Sequence, residues 1–323
     1  MNRIYKILIW GVFTCVVSTT LKAQRVPNEV ENVEFLVTFS KESSLSWGDD
    51  DFTQTFFFVV PITFTEPVYV RVFDPDIGGQ HDEPKGAFNS ITKFSIYGGA
   101  GAHSNPDAQE IDPVGEFRSG NLLATKSFRN DKIYDNKWYT FGPFNPTEGE
   151  FDPVVKGRVF KVICEGVKGD DGNLYQYFFS LDPTQNIEVE GANSFTYEYS
   201  FRLPQKPRII CHIYPFIDED VVSITQHNFD FDFDGELVIY SVAKNRHKMA
   251  RSPNLGWAHS THEITPEEQN TTIDIQILKH GRVNNDMVFY LRNQYNKAIR
   301  FFSVPIGGPP KYKYKVNLSY VKD

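Results

Sequence analysis

The chain has 323 residues, of which 40% are hydrophobic and 15% are aromatic, with 28 Phe and 16 Tyr. This length exceeds that of one ordinary β-sandwich and suits two domains, and the aromatic share favours sheet structure. The formal charge of −8 argues against nucleic acid or an anionic membrane surface as the main partner, and it is compatible with binding cations.

The first 23 residues are typical of a secretory signal peptide. Arg3 and Lys6 form a short basic region, an apolar run follows over residues 7–17, and Ala23 supplies a small residue at the expected cleavage site. The apolar run is well short of the roughly 20 residues that a membrane-spanning helix needs. We therefore expect export to the periplasm, the outer surface or the medium, with no transmembrane segment in the mature chain.

Short segments rich in aromatic and β-branched residues recur along the chain with turn residues between them. In the first half they predict strands at 33–39, 52–60, 68–73, 91–97, 137–141, 159–165, 174–181 and 195–203. The last segment alternates aromatic and polar residues, which predicts one face in a core and one in water. Residues 98–136 are predicted to be a long loop with order only at 121–125, and such loops often carry function.

A Pro-containing break at 203–207 marks the predicted domain boundary. Beyond it, strands are predicted at 208–214, 221–226, 228–233, 236–242, 272–278, 287–292, 298–304 and 312–320. Seven or eight short strands are the number expected for a β-sandwich. The predicted fold class is all-β, with two antiparallel β-sandwich domains of jelly-roll or immunoglobulin-like type. They cover residues 24–203 and 204–323, after the signal peptide at 1–23.

Two acidic turns at strand ends suggest a calcium site. Asp74 and Asp76 follow a predicted strand, and Asp170 and Asp171 precede another. If the sandwich brings both turns to the same end, the four carboxylates supply the oxygen ligands that calcium requires. The alternative is turn chemistry alone, since Asp side chains bond to their own backbone in such turns. Further candidates in neighbouring loops are Asp82, Glu83, Asp107 and Asp112.

The runs FFFVVP at 56–61 and VYVRVFDPD at 68–76 resemble part of the secreted bacterial pre-peptidase C-terminal-like modules. Those modules are small, calcium-associated β-sandwich domains appended to exported proteins. The resemblance implies an accessory, non-catalytic role, with Asp74 and Asp76 at the matching acidic positions. The chain departs from the family pattern because no enzyme domain is attached and the segment 98–136 has no counterpart.

Two other motifs suggest metal sites but favour simpler interpretations. Asp230, Asp232, Asp234 and Gly235 match the opening of an EF-hand loop, yet Ser241 stands where a bidentate Glu is required and no helices flank the motif. Alternation of Phe and Asp predicts a strand that turns at 234–235 instead. The run HSTHE at 259–263 lacks an identifiable third zinc ligand and is predicted to be a loop with solvated histidines.

Aromatic residues and cysteines complete the candidates. Trp138, Tyr139 and Phe141 are a candidate sugar-stacking platform, although alternate residues of a strand must face inward. Cys164 and Cys211 are able to form one disulfide in an oxidising compartment. The alternative, two thiols buried in separate apolar strands, is slightly favoured.

These features predict a non-catalytic exported protein that binds or scaffolds at the cell envelope, with an envelope protein or a glycan as partner and calcium as a stabiliser. One alternative is a glycan hydrolase that uses carboxylates of 98–136 with aromatics of 138–144. Another is a carbohydrate-binding module without catalysis. The chain contains no Gly-x-Ser-x-Gly motif that would indicate a serine hydrolase.

Overall fold

The computed structural model describes residues 25–44, 52–282 and 285–306. The predicted signal peptide and the predicted strand at 312–320 lie outside these ranges. Within them the protein is all-β, with antiparallel sheets and short 3-10 turns at Glu29–Glu31, Pro106–Gln109 and Pro146–Glu148. The predicted fold class is confirmed.

The strands follow the predicted segments closely in the first half of the chain. They are β1 (Arg25–Val26), β2 (Phe35–Phe39), β3 (Thr53–Pro61), β4 (Val68–Phe73), β5 (Ile91–Gly98), β6 (Asn121–Phe128), β7 (Trp138–Phe144), β8 (Glu150–Asp152), β9 (Gly157–Lys168), β10 (Gly172–Ser180), β11 (Asn193–Thr196) and β12 (Glu198–Arg202).

The strands of the second half are shorter and more divided. They are β13 (Ile210–Ile213), β14 (Phe216–Ile217), β15 (Ser223–Phe229), β16 (Gly235–Tyr240), β17 (His247–Lys248), β18 (Trp257–Glu263), β19 (Thr271–Thr272), β20 (Asp274–Lys279), β21 (Asp286–Asn293) and β22 (Phe301–Phe302).

The largest sheet takes strands from both halves of the chain. Its order is β18-β15-β21-β12-β2-β10-β4-β7, with β1 paired to β10. A seven-stranded sheet has the order β22-β11-β3-β9-β5-β6, with β8 paired to β9, and a four-stranded sheet has the order β13-β20-β16-β17. The predicted boundary at 203/204 therefore falls at the end of β12, inside the nine-stranded sheet, and the division into two domains stays a prediction.

The interior of the first sandwich is built from aromatic side chains. Phe58 of β3 stacks on Phe179 of β10 with ring centroids 5.1 Å apart, and Phe56 meets Tyr177 edge-on at 5.8 Å. Each fully buried side chain of this size stabilises the fold by about 1.5–3 kcal/mol. One continuous cluster of buried residues joins them to Ile224, Ile239, Ile275 and Leu291 of the second half.

The segment 195–203 differs from its predicted half-exposed strand. The chain passes at Tyr197 from β11 in the seven-stranded sheet to β12 in the nine-stranded sheet. Residues 194–203 are all buried. The ring of His103 covers the outward face of β11 at Phe195, with centroids 5.2 Å apart. The alternation of aromatic and polar residues therefore marks a sheet crossing rather than a solvated face.

The predicted strand at 228–233 is wrong beyond Phe229, where β15 ends. Asp230 and Asp232 have φ values of 59° and 58°, in the left-handed region, so the chain turns here. Asp230 accepts a hydrogen bond from the Leu255 amide at 2.9 Å, and Asp234 accepts one from Gly281 at 2.6 Å. Carboxylates that bond to backbone amides favour a turn over continued strand pairing.

The run at 259–263 is an edge strand, β18, and the predicted loop is corrected accordingly. Its residues alternate, with His259 exposed and His262 buried. Burial, followed by the neighbouring His247 and Lys244, lowers the pKa of His262 to about 4. The two histidines therefore face opposite sides of the strand and do not ligate a common ion.

The long segment 99–120 packs on the outward face of the seven-stranded sheet. His103 contacts the outward ring of Phe57 at 5.0 Å and bonds to the Tyr197 hydroxyl at 2.9 Å. Glu150 accepts hydrogen bonds from the backbone amides of Gly101 at 2.8 Å and Ser104 at 2.9 Å. These contacts fix the segment as a covering layer, and they explain its position without a ligand.

Candidate metal centre

The candidate metal centre lies where β4 ends and β7 is about to begin. These two strands are antiparallel neighbours, with Phe73 opposite Trp138. The residues after Phe73 therefore meet the residues before Trp138. Asp74 and Asp76 come from the first segment and Asp135 from the second, and one carboxylate oxygen of each lies within 4.8 Å of the others.

Two residues of the loop after β4 have left-handed backbone conformations beside Asp135. Asp74 has φ of 52°, a left-handed conformation that Asp tolerates better than most residues. Gly79 has φ of 72°, and a Cβ atom added there would lie 3.4 Å from Asp135 Oδ1. A side chain at position 79 would be strained by this φ and would lie in van der Waals contact with the Asp135 carboxylate.

The hydrogen bonds of the cluster leave three buried oxygens without partners in the described part of the chain. Asp74 Oδ1 accepts from the Asn136 amide at 2.8 Å, and Asp76 Oδ2 accepts from the Asp131 amide at 3.0 Å. Asp74 Oδ2, Asp76 Oδ1 and Asp135 Oδ1 are buried with no hydrogen-bond donor. Buried polar atoms are nearly always satisfied, so these three oxygens lack a proton donor or a cation.

Electrostatics point the same way. Burial raises the pKa of Asp76 to about 7, and the neighbouring Asp135 and Asp74 charges add to the effect. Burial, and more weakly Asp135, also raises the pKa of Asp74. Both residues are only 1% exposed. Ionised carboxylates in this arrangement repel one another, and a divalent cation would remove that penalty.

Asp82 supports the loop after β4. Unlike the three cluster residues, it has a hydrogen-bond donor for each carboxylate oxygen. Its Oδ2 accepts from the Gly78 amide at 2.6 Å and its Oδ1 accepts from the Leu174 amide at 2.7 Å. Burial raises the pKa of Asp82 well above its usual value. Asp82 therefore closes the turn that begins at Asp76 and ties it to β10.

The second predicted acidic turn does not join the cluster. Asp171 accepts hydrogen bonds from the backbone amides of Lys85, Asn89 and Ser90 at 2.9–3.1 Å, and from the Ser90 hydroxyl at 2.8 Å. These bonds occupy Asp171 in shaping the segment 85–90. Asp170 is likewise outside the three-carboxylate group. Asp171 therefore shapes a turn, as the alternative interpretation predicted, and Asp74 and Asp76 remain candidate metal ligands.

The remaining acidic candidates have other roles. Glu83 forms an ion pair with Arg202 at 2.7 Å. Asp107 accepts from the Glu116 amide at 2.7 Å inside the segment 99–120, and Asp112 is exposed. Asp135 was missed at the level of sequence, because only the pairing of β4 with β7 shows which later acidic residue returns to Asp74.

The three aromatic residues of β7 do not form one platform. Phe141 is buried in the interior, and Tyr139 packs edge-on against Phe128 at 5.1 Å and Phe141 at 4.9 Å. Trp138 points to the opposite face of the strand, where it meets Phe73 at 5.4 Å. The prediction of a three-residue platform is therefore corrected to Trp138 alone, because neighbouring residues of a strand face opposite ways.

The hydrolase alternative stays a prediction, because the carboxylates of 98–136 lie in two different places. The carboxylates of 99–120 lie on the outward face of the seven-stranded sheet, around His103 and Phe57. Trp138 lies on the outward face of the nine-stranded sheet. The body of the sandwich stands between the carboxylates of 99–120 and Trp138, whereas Asp131 and Asp135 of the same predicted loop directly precede β7.

The two cysteines are buried thiols in different sheets and are not joined by a disulfide. Cys164 lies on β9, and Cys211 lies on β13, where its thiol donates to the Asn32 carbonyl at 3.1 Å. Burial raises the pKa of Cys211 to about 12. A thiol with so high a pKa is a poor nucleophile, so Cys211 serves packing.

No family model matches this chain, and no curated protein sequence matches it. The resemblance carried by residues 56–61 and 68–76 stays an expectation. Within the described ranges, no helix combines the length and the apolar character that crossing a membrane requires.

Proposed function

We propose that this chain is an exported, non-catalytic binding or scaffolding protein of the cell envelope, and that Asp74, Asp76 and Asp135 hold a calcium ion that orders its loops. The observation that carries the metal site is the set of three buried carboxylate oxygens without hydrogen-bond donors. The basic and apolar pattern of residues 1–23 supports export.

Calcium fits this cluster better than a transition metal does. The ligands are carboxylates alone, which suit hard cations, whereas zinc and copper favour histidine and cysteine. Calcium takes six to eight oxygens in flexible geometry, so backbone carbonyls and water complete the set that three carboxylates begin. Extracellular calcium modules work with Kd values of about 10⁻⁴–10⁻³ M, which suits a protein outside the cytoplasm.

The ion would act by joining two loops. One loop follows β4 and carries Asp74 and Asp76, and the other precedes β7 and carries Asp135. His81 of the first loop also bonds to Asn136 of the second, with Nε2 and Oδ1 2.8 Å apart. A cation between these loops would hold this end of the sandwich in one arrangement, which would preorganise a binding surface.

Isothermal titration of the calcium-free protein with calcium chloride tests the metal site. We expect one ion per chain for the unmodified protein and the loss of that binding in Asp76→Asn, because the variant removes a charged oxygen ligand. Asp112→Asn is the matched control, since Asp112 is exposed and lies outside the cluster. Equal calcium binding by both variants would show that the cluster is not the site.

Cell fractionation of the full chain tests export. We expect the protein in the envelope or the medium, with its mature amino terminus at Gln24 by mass spectrometry, because Ala23 precedes the predicted cleavage point. Recovery of the uncleaved chain from the cytoplasm would contradict the proposal. A variant with Leu8→Arg in the apolar run should block cleavage and serves as the control.

A further inference from the structure

The outward face of the nine-stranded sheet carries a groove beside Trp138 that the metal site does not use. Its volume is about 390 Å³, within the usual range for small-ligand sites. A second groove of about 390 Å³ adjoins it and shares Arg25 and Gln176. We call the first of these the outer-face groove, lined by Arg25, Phe73, Trp138, Gln176, Phe178 and Glu188.

Strand register explains how these residues meet. Trp138 of β7 lies opposite Phe73 of β4, and Phe73 lies opposite Gln176 of β10. Arg25 of β1 lies opposite Phe178 of β10, in the adjoining row. Side chains directly across a pair of antiparallel strands point to the same face. Trp138 lies 5.4 Å from Phe73 and 6.3 Å edge-on from the buried Phe178, so the three rings form an apolar cluster with polar groups at its edge.

The Trp138 ring is held in position in the absence of a ligand. The guanidinium of Arg71 lies 5.2 Å from the centre of the Trp138 ring, a cation–π contact. Arg71 is buried and also donates to the Thr184 carbonyl at 3.1 Å, in the loop that leads to Glu188. The Trp138 ring and this loop are therefore positioned by the same side chain, which lowers the ordering cost of binding.

The groove edge offers hydrogen-bonding groups of both kinds. Arg25 lines the groove and supplies a guanidinium group, whose Nε is buried with no acceptor in the described part of the chain. Gln176 supplies an amide and Glu188 a carboxylate. The partly exposed Trp138 ring with polar groups beside it matches a sugar ring, which presents C–H groups on its face and hydroxyls on its rim.

We propose that the outer-face groove binds a carbohydrate chain, with a sugar ring stacked on Trp138 and hydroxyls paired with Arg25 and Glu188. The adjoining groove extends the surface past Gln176, so the ligand is an oligosaccharide rather than a single sugar. A nucleic acid would be repelled by the carboxylates, and an apolar peptide would leave Arg25 and Glu188 without partners. This inference rests on the proposed binding function and gives it a ligand class.

The test is an array of cello-, chito-, manno- and xylo-oligosaccharides of several units, followed by titration calorimetry with the strongest of them. We expect Trp138→Ala to weaken binding at least about tenfold, because ring stacking and ring area are lost together. Trp257→Ala is the matched control and should leave the affinity within about twofold, since Trp257 is 38% exposed on β18 at the far edge of the same sheet.

Glu188→Ala is a second variant in case Trp138→Ala fails to fold, and its expected result is also weaker binding. Failure of every oligosaccharide to bind, or equal losses in Trp138→Ala and Trp257→Ala, would overturn the inference. Calcium titration of the same samples keeps the two claims apart. Oligosaccharide binding without calcium binding would support the groove proposal and contradict the calcium site. Calcium binding without oligosaccharide binding would support the calcium site and contradict the groove proposal.

Discussion

Removal of calcium is expected to lower the melting temperature of the protein by about 4 °C. A ligand at one hundred times its Kd stabilises the folded state by about 2.7 kcal/mol. At about 2.1 cal/mol/K of unfolding entropy per residue, each kcal/mol corresponds to about 1.6 °C in a chain of roughly 300 residues. The physical reason is local: without the cation, the Asp74, Asp76 and Asp135 carboxylates face one another with three unpartnered buried oxygens. Calorimetry at several calcium concentrations, against a chelator, measures the effect.

Asp76→Asn supplies the internal control for this prediction. The variant removes one of the repelling charges and one strong ligand, so its melting temperature should depend little on calcium. Without calcium it should melt at or above the temperature of the unmodified protein, because like charges at short distance are reduced. An unmodified protein with the same melting temperature in calcium and in chelator would show that no stabilising ion is bound here.

Strand positions were readable from the sequence because pairing of apolar side chains on one face sets their period. The segment 68–73 coincides with β4, and β5 and β10 differ from their predicted segments only at their ends. Strand predictions failed where apolar and polar residues alternate for a reason other than strand pairing. Phe and Asp alternate at 229–234 because the acidic side chains bond to backbone amides in a turn, and not because a strand continues.

Only part of the candidate metal site could be predicted from the sequence, because the rest depends on which strands pair. Asp74 and Asp76 are separated only by Pro75 in the sequence, and their position after a strand marked them as candidate ligands. Asp135 joins them because β4 pairs with β7, and Asp171 does not because amides of 85–90 surround it. Neither fact is local in the chain, so spacing alone does not contain it.

The same limit applies to the binding face. The composition of 138–141 indicated stacking on an aromatic surface, and strand geometry required half of these residues to face inward. Which of these residues face inward depends on which face of β7 packs against the other sheet. Trp138 turned out to face outward beside Phe73, while Phe141 is buried. Two further contributors to the groove, Arg25 and Phe178, come from strands that only the sheet order places nearby.

Arg202→Met is expected to lower the free energy of unfolding by about 3–5 kcal/mol. Arg202 on β12 donates to both carboxylate oxygens of Asp286 on β21, at 2.7 and 2.5 Å, and pairs with Glu83 at 2.7 Å. Both Arg202 and Asp286 are buried. The variant would leave Asp286 as a charge inside the protein with its main partner removed, which costs far more than the pair itself contributes.

The matched control is Arg246→Met, because Arg246 forms an ion pair with Glu236 at the surface and is 55% exposed. Exposed pairs contribute about 0–1 kcal/mol, so this variant should unfold at nearly the denaturant concentration of the unmodified protein. Equal midpoints for Arg202→Met and Arg246→Met would refute the prediction.

The shape of the denaturant unfolding curve of the unmodified protein tests whether the two halves of the chain unfold together. Since Arg202 and Asp286 join strands from the two sides of residue 203, and one buried cluster spans both, we expect a single cooperative transition. Two separate transitions would mean that the halves fold independently despite the shared sheet.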